Sequence, residues 1–222
     1  MAAGRTAVLL GATGLVGGHC LELLLGDDAW ARVVVVGRRS LGRAHAKLEE
    51  RVVDFERLEA DADAFEADDV FCGLGTTIRA AGSQEAFRRV DHDYPLAAAR
   101  LASERGAKRF LLVTAMGADP GSRVFYNRVK GEVERGVSAL PFEGVALLRP
   151  SLILGERADR RPAEALAQRA APVLNPLLMG PLRKYRAIPA AAIARAMVRL
   201  AKEGWRGVRA VESDELAALG GA

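Results

Sequence analysis

The sequence predicts an α/β fold: a doubly wound parallel sheet with helices on both faces and a small irregular cap near the carboxyl end. Three observations predict it. Short β-branched runs alternate with Ala/Leu-rich helical stretches through most of the chain. The runs are continuously apolar, as in strands covered on both faces, rather than alternating as in half-exposed ones. A glycine-rich turn joins the first run directly to the first helical stretch.

The elements follow in order. Val8 to Gly11 is the first strand and Leu15 to Leu25 the first helix. Val33 to Gly37, Arg51 to Val53 and Val70 to Leu74 read as strands two to four. Gln84 to Arg105 is a long helical pattern that contains Pro95, which lacks an N–H and marks a kink or break. Phe110 to Thr114, the helical Tyr126 to Ala139, and Val145 to Leu148 complete the alternation. The texture then changes. Pro162, Pro172, Pro176, Pro181 and Pro189, with a basic cluster at Arg157, Arg160 and Arg161, predict an irregular cap over residues 155–190. It is too short to form a second domain, so residues 1–222 are expected to make one. Ile193, Met197 and Leu200 then recur at helical spacing, as the buried face of a helix does, and Val208 to Glu212 reads as a last strand.

Composition narrows the function classes. At 222 residues, 50% hydrophobic and 27% charged, the chain is long and apolar enough to fold without disulfides or metal. Cys20 and Cys72 sit inside apolar segments, and His19, His45 and His92 have no ligand spacing, so no metal site is expected. No apolar run approaches the ~20 residues of a membrane-spanning helix, and Met1 to Thr6 lacks the layout of a secretory leader. A reducing, cytoplasmic setting follows from the cysteine usage. The net charge of +4 is spread along the chain; it suits an anionic small ligand and gives no basic stripe for nucleic acid.

The chemistry-bearing motifs lie at the predicted carboxyl ends of the strands. Gly11-Ala12-Thr13-Gly14-Leu15-Val16-Gly17 follows a strand and opens a helix. Gly11 can take the tight turn, Gly14 lets backbone approach a pyrophosphate, and Gly17 lets helix and strand pack closely. Free N–H groups of the helix then face the phosphates. At the end of strand two, where an NAD site usually carries a carboxylate, stand Arg38 and Arg39. Their guanidinium groups favour a 2′-phosphate, hence NADP(H). Asp54 ends strand three, either accepting from the adenine amino group or standing as a solvated loop carboxylate. Leu74, Gly75 and Thr76 leave strand four and are read either as passing the cofactor or as an ordinary strand exit. Tyr126 and Lys130 form Y-x-x-x-K, 12 residues after Thr114. At i and i+4 on a helix they face the same way, and an ammonium beside a phenol favours its use as acid or base.

Taken together, Gly11 to Gly14, Gly37 to Arg39, Cys72 to Thr77, Val90 to Tyr94, Gly117 to Asp119, Tyr126 to Glu132 and Arg149 to Ser151 resemble an atypical short-chain dehydrogenase/reductase. Within that superfamily they are most similar to the small NAD(P)H-binding oxidoreductases related to the Tat-interacting protein of animals, and to their bacterial counterparts. The resemblance covers residues 7–161. It implies a Rossmann-type domain in which Thr13, Leu15 and Val16 line the pyrophosphate and Arg38 and Arg39 hold the 2′-phosphate. It implies Leu74 and Gly75 beneath the adenosine ribose, Ile153 near the nicotinamide, and Arg161 reaching back to the phosphates. Tyr126 would be the acid/base and Lys130 its ribose-binding partner. Thr114 would stand for the usual serine, and Asp91, where many relatives carry Asn, would cap the fourth helix. The function expected is NADPH-dependent hydride transfer to or from a small carbonyl or alcohol. The alternative is a non-catalytic NADPH-binding redox sensor or regulatory interaction protein. A nucleotide-sugar epimerase or dehydratase would need a larger substrate domain. The partners expected are a small-molecule substrate, with a homodimer or protein partner left open, and neither nucleic acid nor membrane.

Overall fold

The computed structural model describes residues 4–155, 178 and 180–221. Seven parallel strands form one sheet: β1 (Arg5–Leu10), β2 (Trp30–Gly37), β3 (Leu48–Val52), β4 (Asp69–Cys72), β5 (Arg109–Val113), β6 (Gly144–Arg149) and, after a two-strand insertion, β9 (Gly207–Glu212). Their order is β3-β2-β1-β4-β5-β6-β9. The sheet grows one way from β1 through β2 and β3 and the other way from β4, so the winding reverses between β1 and β4. In such folds the crevice for ligands opens beyond the carboxyl ends of the strands at that reversal.

The continuous apolar runs have a direct cause. Ala7 and Leu9 of β1 point to one face and Val8 and Leu10 to the other, and all four are fully buried. The first face packs on α1 (Leu15–Gly26) through Cys20 and Leu24, and on a late helix, α6 (Ala190–Glu203). There Ile193, Met197 and Leu200 are buried, as their helical spacing predicts. The second face packs on Phe65, on α4 (Tyr94–Glu104) through Ala98 and Ala102, and on α5 (Phe125–Ser138) through Val133 and Val137. The amino edge is closed by ion pairs. Buried Asp69 accepts from Trp30 Nε1 at 2.8 Å and pairs with Arg5 at 3.2 Å and with Arg109. The carboxyl edge stays open as a groove.

Three features add to the sequence expectation or differ from it. The long helix 84–105 is α3 (Gln84–Arg88), a π turn at Arg89–Asp93, and α4. The junctions stay in helical φ/ψ, and the π turn lies directly before Pro95, whose missing N–H and ring disturb the preceding turn, as the expected kink requires. A 3₁₀ segment (Phe55–Phe65), a one-turn α2 (Ile78–Ala81) and a final α7 (Ser213–Gly220) were not legible as periodic patterns. Of the cap, β7 (Ile153–Leu154) pairs in parallel with β8 (Ile188–Pro189), and Gly180–Tyr185 forms a 3₁₀ segment. Arg157, Arg160, Arg161, Pro162, Pro172 and Pro176 lie outside the described residues.

Candidate active site

The glycine turn is built by sterics. Gly11 has φ +83°, and a Cβ there would lie 2.7 Å from the carbonyl oxygen of Gly73, so the left-handed turn and the neighbouring strand both require glycine. The Gly14 N–H donates to Gly11 O at 2.9 Å and closes the turn. Gly14 caps α1 with no side chain, and the first turn holds no acidic residue. The first-turn amides therefore have neither helical nor side-chain acceptors, and they carry the positive end of the helix dipole. A Cβ on Gly17 would stand 2.0 Å from Gly11 O. Gly17→Ala should thus lower stability by about 1–3 kcal/mol, several degrees in Tm. Gly26→Ala, with nothing within 4 Å of the added methyl, is the control. Equal thermal unfolding of the two variants would contradict the close packing assigned to Gly17.

One groove runs across the reversal point. At one end Gly11, Thr13, Arg38, Arg39, Phe55 and Leu74 line it. Its middle is bounded by Gly14, Glu56, Gly75, Thr76, Arg89 and Tyr94. The far end is lined by Leu15, Val16, Thr114, Tyr126, Lys130 and Ile153, with Asp91, Ala115 and Leu152. Residues from distant parts of the sequence are therefore brought to one surface. Two expected residues are not on it. Gly17 sits behind the turn, where its role is packing. The Asp54 carboxylate accepts from the Glu56 N–H at 3.0 Å and caps the 3₁₀ segment, while Phe55 and Glu56 face the groove. Arg161 lies outside the described residues.

The two ends differ in charge. Arg38 and Arg39 are exposed and take part in no ion pair or hydrogen bond among the described residues. Nearby, Tyr94 Oη donates to Glu56 Oε1 at 2.5 Å; burial and this carboxylate push the Tyr94 phenol up to about 12. At the other end Lys130 Nζ lies 2.8 Å from Asp91 Oδ1, with the two residues 4% and 1% exposed. The Thr76 N–H donates to Asp91 Oδ2 at 2.9 Å. This corrects the expectation that Asp91 caps the fourth helix: α4 has no side-chain cap, and the π turn carries the Asp91 carboxylate inward instead. Burial alone would pull the Lys130 ammonium down. Asp91, aided by Tyr126 and Cys72, more than offsets this and holds it above the ordinary lysine range. Tyr126 packs its ring on Phe87, with centroids 5.4 Å apart.

Behind Thr114 lies a second polar network that the sequence reading missed. Thr114 Oγ1 donates to Glu134 Oε1 at 2.6 Å and lies 3.2 Å from Leu148 O. Arg149 Nε donates to the same carboxylate at 3.0 Å and also pairs with Glu212 at 3.2 Å. Glu134 is 4% exposed. The signal for it was present: residues 126, 130 and 134 are spaced by four and share one face of α5.

No protein-family model matches the chain. Among solved structures, it is similar to MoeE5 in complex with UDP-glucose and NAD, at TM-score 0.69 and 18% identity over 98% of this chain and 81% of that one. It is also similar to a UDP-glucose 4-epimerase with UDP-glucose from Thermotoga maritima, at TM-score 0.68 and 15% identity over 93% and 76%. These show the doubly wound fold. Among curated proteins, Protein HTATIP2 of Rattus norvegicus is 42% identical over 169 residues, 74% of this chain and 69% of that one. The fmp52 protein of Aspergillus fumigatus, which bears the word mitochondrial in its name, is 36% identical over 220 residues, 96% and 94%. On identities of this size across most of both chains, this chain belongs to the family of HTATIP2 and the fmp52 proteins.

Proposed function

We propose that this chain is an NADPH-dependent oxidoreductase acting on a small carbonyl or alcohol. One observation carries the reading: a single groove joins an uncapped helix N-terminus, two arginines without partners among the described residues at one end, and Tyr126 with Lys130 at the other. The groove fits a nicotinamide dinucleotide, because the uncapped first-turn amides of α1 open onto it as pyrophosphate donors. When bound, that cofactor supplies the hydride chemistry.

The chain's own residues do the rest. The α1 amides at Leu15 and Val16 hold phosphate oxygens, and Thr13 and Gly14 shape their approach. Arg38 and Arg39 take the 2′-phosphate with forked donors. Leu74 and Gly75 support the adenosine side, and Ile153 offers backbone at the opposite end. Lys130, held by its ion pair with Asp91, turns its donors to ribose hydroxyls. Tyr126 gives its phenolic proton to the substrate oxygen in reduction and takes one in oxidation. Thr114 forms the wall beside the reacting oxygen and presents lone pairs there, since its proton is directed to Glu134.

The test is titration of the purified protein with NADPH and NADH, by nicotinamide fluorescence or heat. A charge-assisted contact of ~1.5–3 kcal/mol predicts roughly tenfold to hundredfold tighter NADPH binding. Replacing both Arg38 and Arg39 by Ala should erase the difference. Equal binding by the unaltered chain would remove the 2′-phosphate assignment, and no binding of either would remove the oxidoreductase.

A second reading, an NADPH-binding sensor without turnover, is favoured by the Thr114 hydroxyl being engaged with a buried carboxylate. Binding without turnover across aldehyde, ketone and quinone panels would select it. On compartment, no described helix is long and apolar enough to cross a membrane. Cys20 and Cys72 are free and buried, as in a chain kept in a reducing setting, and the cytoplasm is the compartment we infer.

A further inference from the structure

We propose that Asp91 is the positioning residue of this site: its one carboxylate fixes the Lys130 ammonium and ties the Leu74–Thr77 loop to the catalytic helix. The inference rests on the reading of Lys130 as a ribose-binding residue and deepens it. It follows from where the π turn puts Asp91. A regular helix from Gln84 onwards would have placed the side chains at 89–93 differently; the wider turn brings Asp91 to the carboxyl edge of β4, almost wholly buried. There Oδ2 accepts the Thr76 N–H at 2.9 Å and Oδ1 meets Lys130 Nζ at 2.8 Å. Among the described residues Oδ1 accepts no hydrogen bond, so the ion pair is what holds it. Gly75 lies against both ends of the pair: a Cβ on it would be 3.4 Å from Asp91 Oδ1 and 3.7 Å from Lys130 Nζ. The loop that lines the groove is therefore moulded onto the ion pair.

The charge balance shows what Asp91 does for Lys130. The groups facing the ammonium are Asp91 from the π turn, Tyr126 from the same helix and Cys72 from β4. The Cys72 thiol, pushed up to about 12 by burial, is neutral at physiological pH, as a phenol is when it acts as proton donor. Asp91 is then the only formal negative charge among them. Without it, burial would act unopposed and favour the neutral amine. A neutral amine is a poorer donor to ribose hydroxyls, and its position would no longer be set by a fixed partner.

The experiment reads Lys130 directly in the cofactor-free protein, by NMR of lysine Cε labelled with ¹³C. The chain has five lysines, at 47, 108, 130, 184 and 202, and Lys130→Met identifies the resonance. In the unaltered chain Lys130 should be the last of the five to lose its proton as pH rises. In Asp91→Asn it should be the first. NADPH affinity of that variant should match the unaltered chain at pH 6.5 and fall at least about tenfold by pH 9.5, while the unaltered chain stays level. Asp91→Glu, which keeps the charge, should restore the late titration. Should the Asn variant not fold, Asp91→Ser, which still accepts from the Thr76 amide without charge, takes its place. A Lys130 that titrates alike with and without the carboxylate would overturn the proposal. Failure of NADPH to bind the unaltered chain would instead remove the reading of the site, leaving the NMR result to judge the hold of Asp91 on Lys130.

Discussion

Tyr126→Phe should lower kcat by about 10²–10⁴-fold with little change in NADPH affinity. The substitution removes one hydroxyl and keeps the ring, which packs against Phe87 and is only partly buried, so folding has little reason to suffer. The hydroxyl stands at the end of the groove shared with Lys130 and remote from the arginine end, so cofactor contacts at Arg38, Arg39 and the α1 amides are untouched. A loss confined to kcat is the mark of a group that moves a proton in the transition state rather than one that binds. The measurement is single-turnover oxidation of bound NADPH on a substrate found by screening, beside a binding titration of the same variant. Unchanged turnover would remove Tyr126 from the acid/base role. A parallel loss of affinity would reassign it to binding.

The strands and the glycine turn were legible because each is dictated locally. Leu9 faces one core and Leu10 the other, so both must be apolar, and the run cannot be mistaken for a half-exposed strand. Gly11 is required by its left-handed φ within the turn, and Gly17 by its contact with Gly11 O in the same strand–turn–helix unit. Tyr126 and Lys130 are neighbours on one helix. What the sequence hid was partnership across elements. Asp91 looks like a capping residue because it lies just before a helix-like stretch, and a π turn leaves no periodic trace in five residues. Nothing local says that its carboxylate reaches a lysine 39 positions later. Asp54 was open to two readings, and in the fold its carboxylate accepts the Glu56 amide two residues on. The Glu134 network shows both sides. Its spacing from Lys130 is readable, but its partners Thr114 and Arg149 come from two other elements.

The same ion pair makes the largest stability prediction. Lys130→Met and Asp91→Leu should each destabilise the cofactor-free fold by about 3–5 kcal/mol, because each leaves the other charge buried alone. The double variant should be much closer to the unaltered chain, since an apolar pair of similar volume needs no counter-charge. Chemical denaturation at neutral pH, with all four proteins compared, gives the coupling directly. The pH dependence has a defined sign. Lys130 in the fold sits above its ordinary value, so its contribution is complete below the unfolded lysine value of about 10.4 and is lost only as pH rises through the higher folded one. The penalty of Asp91→Leu should be full at pH 6, where Lys130 stays charged in both states, and shrink as pH rises through its lowered folded value in that variant. Single variants within about 1 kcal/mol of the unaltered chain would mean that the pair is not buried as described. A double variant as unstable as the sum of the singles would mean that shape, not charge, sets the cost, and the carboxylate would then be no more than a spacer beneath Gly75.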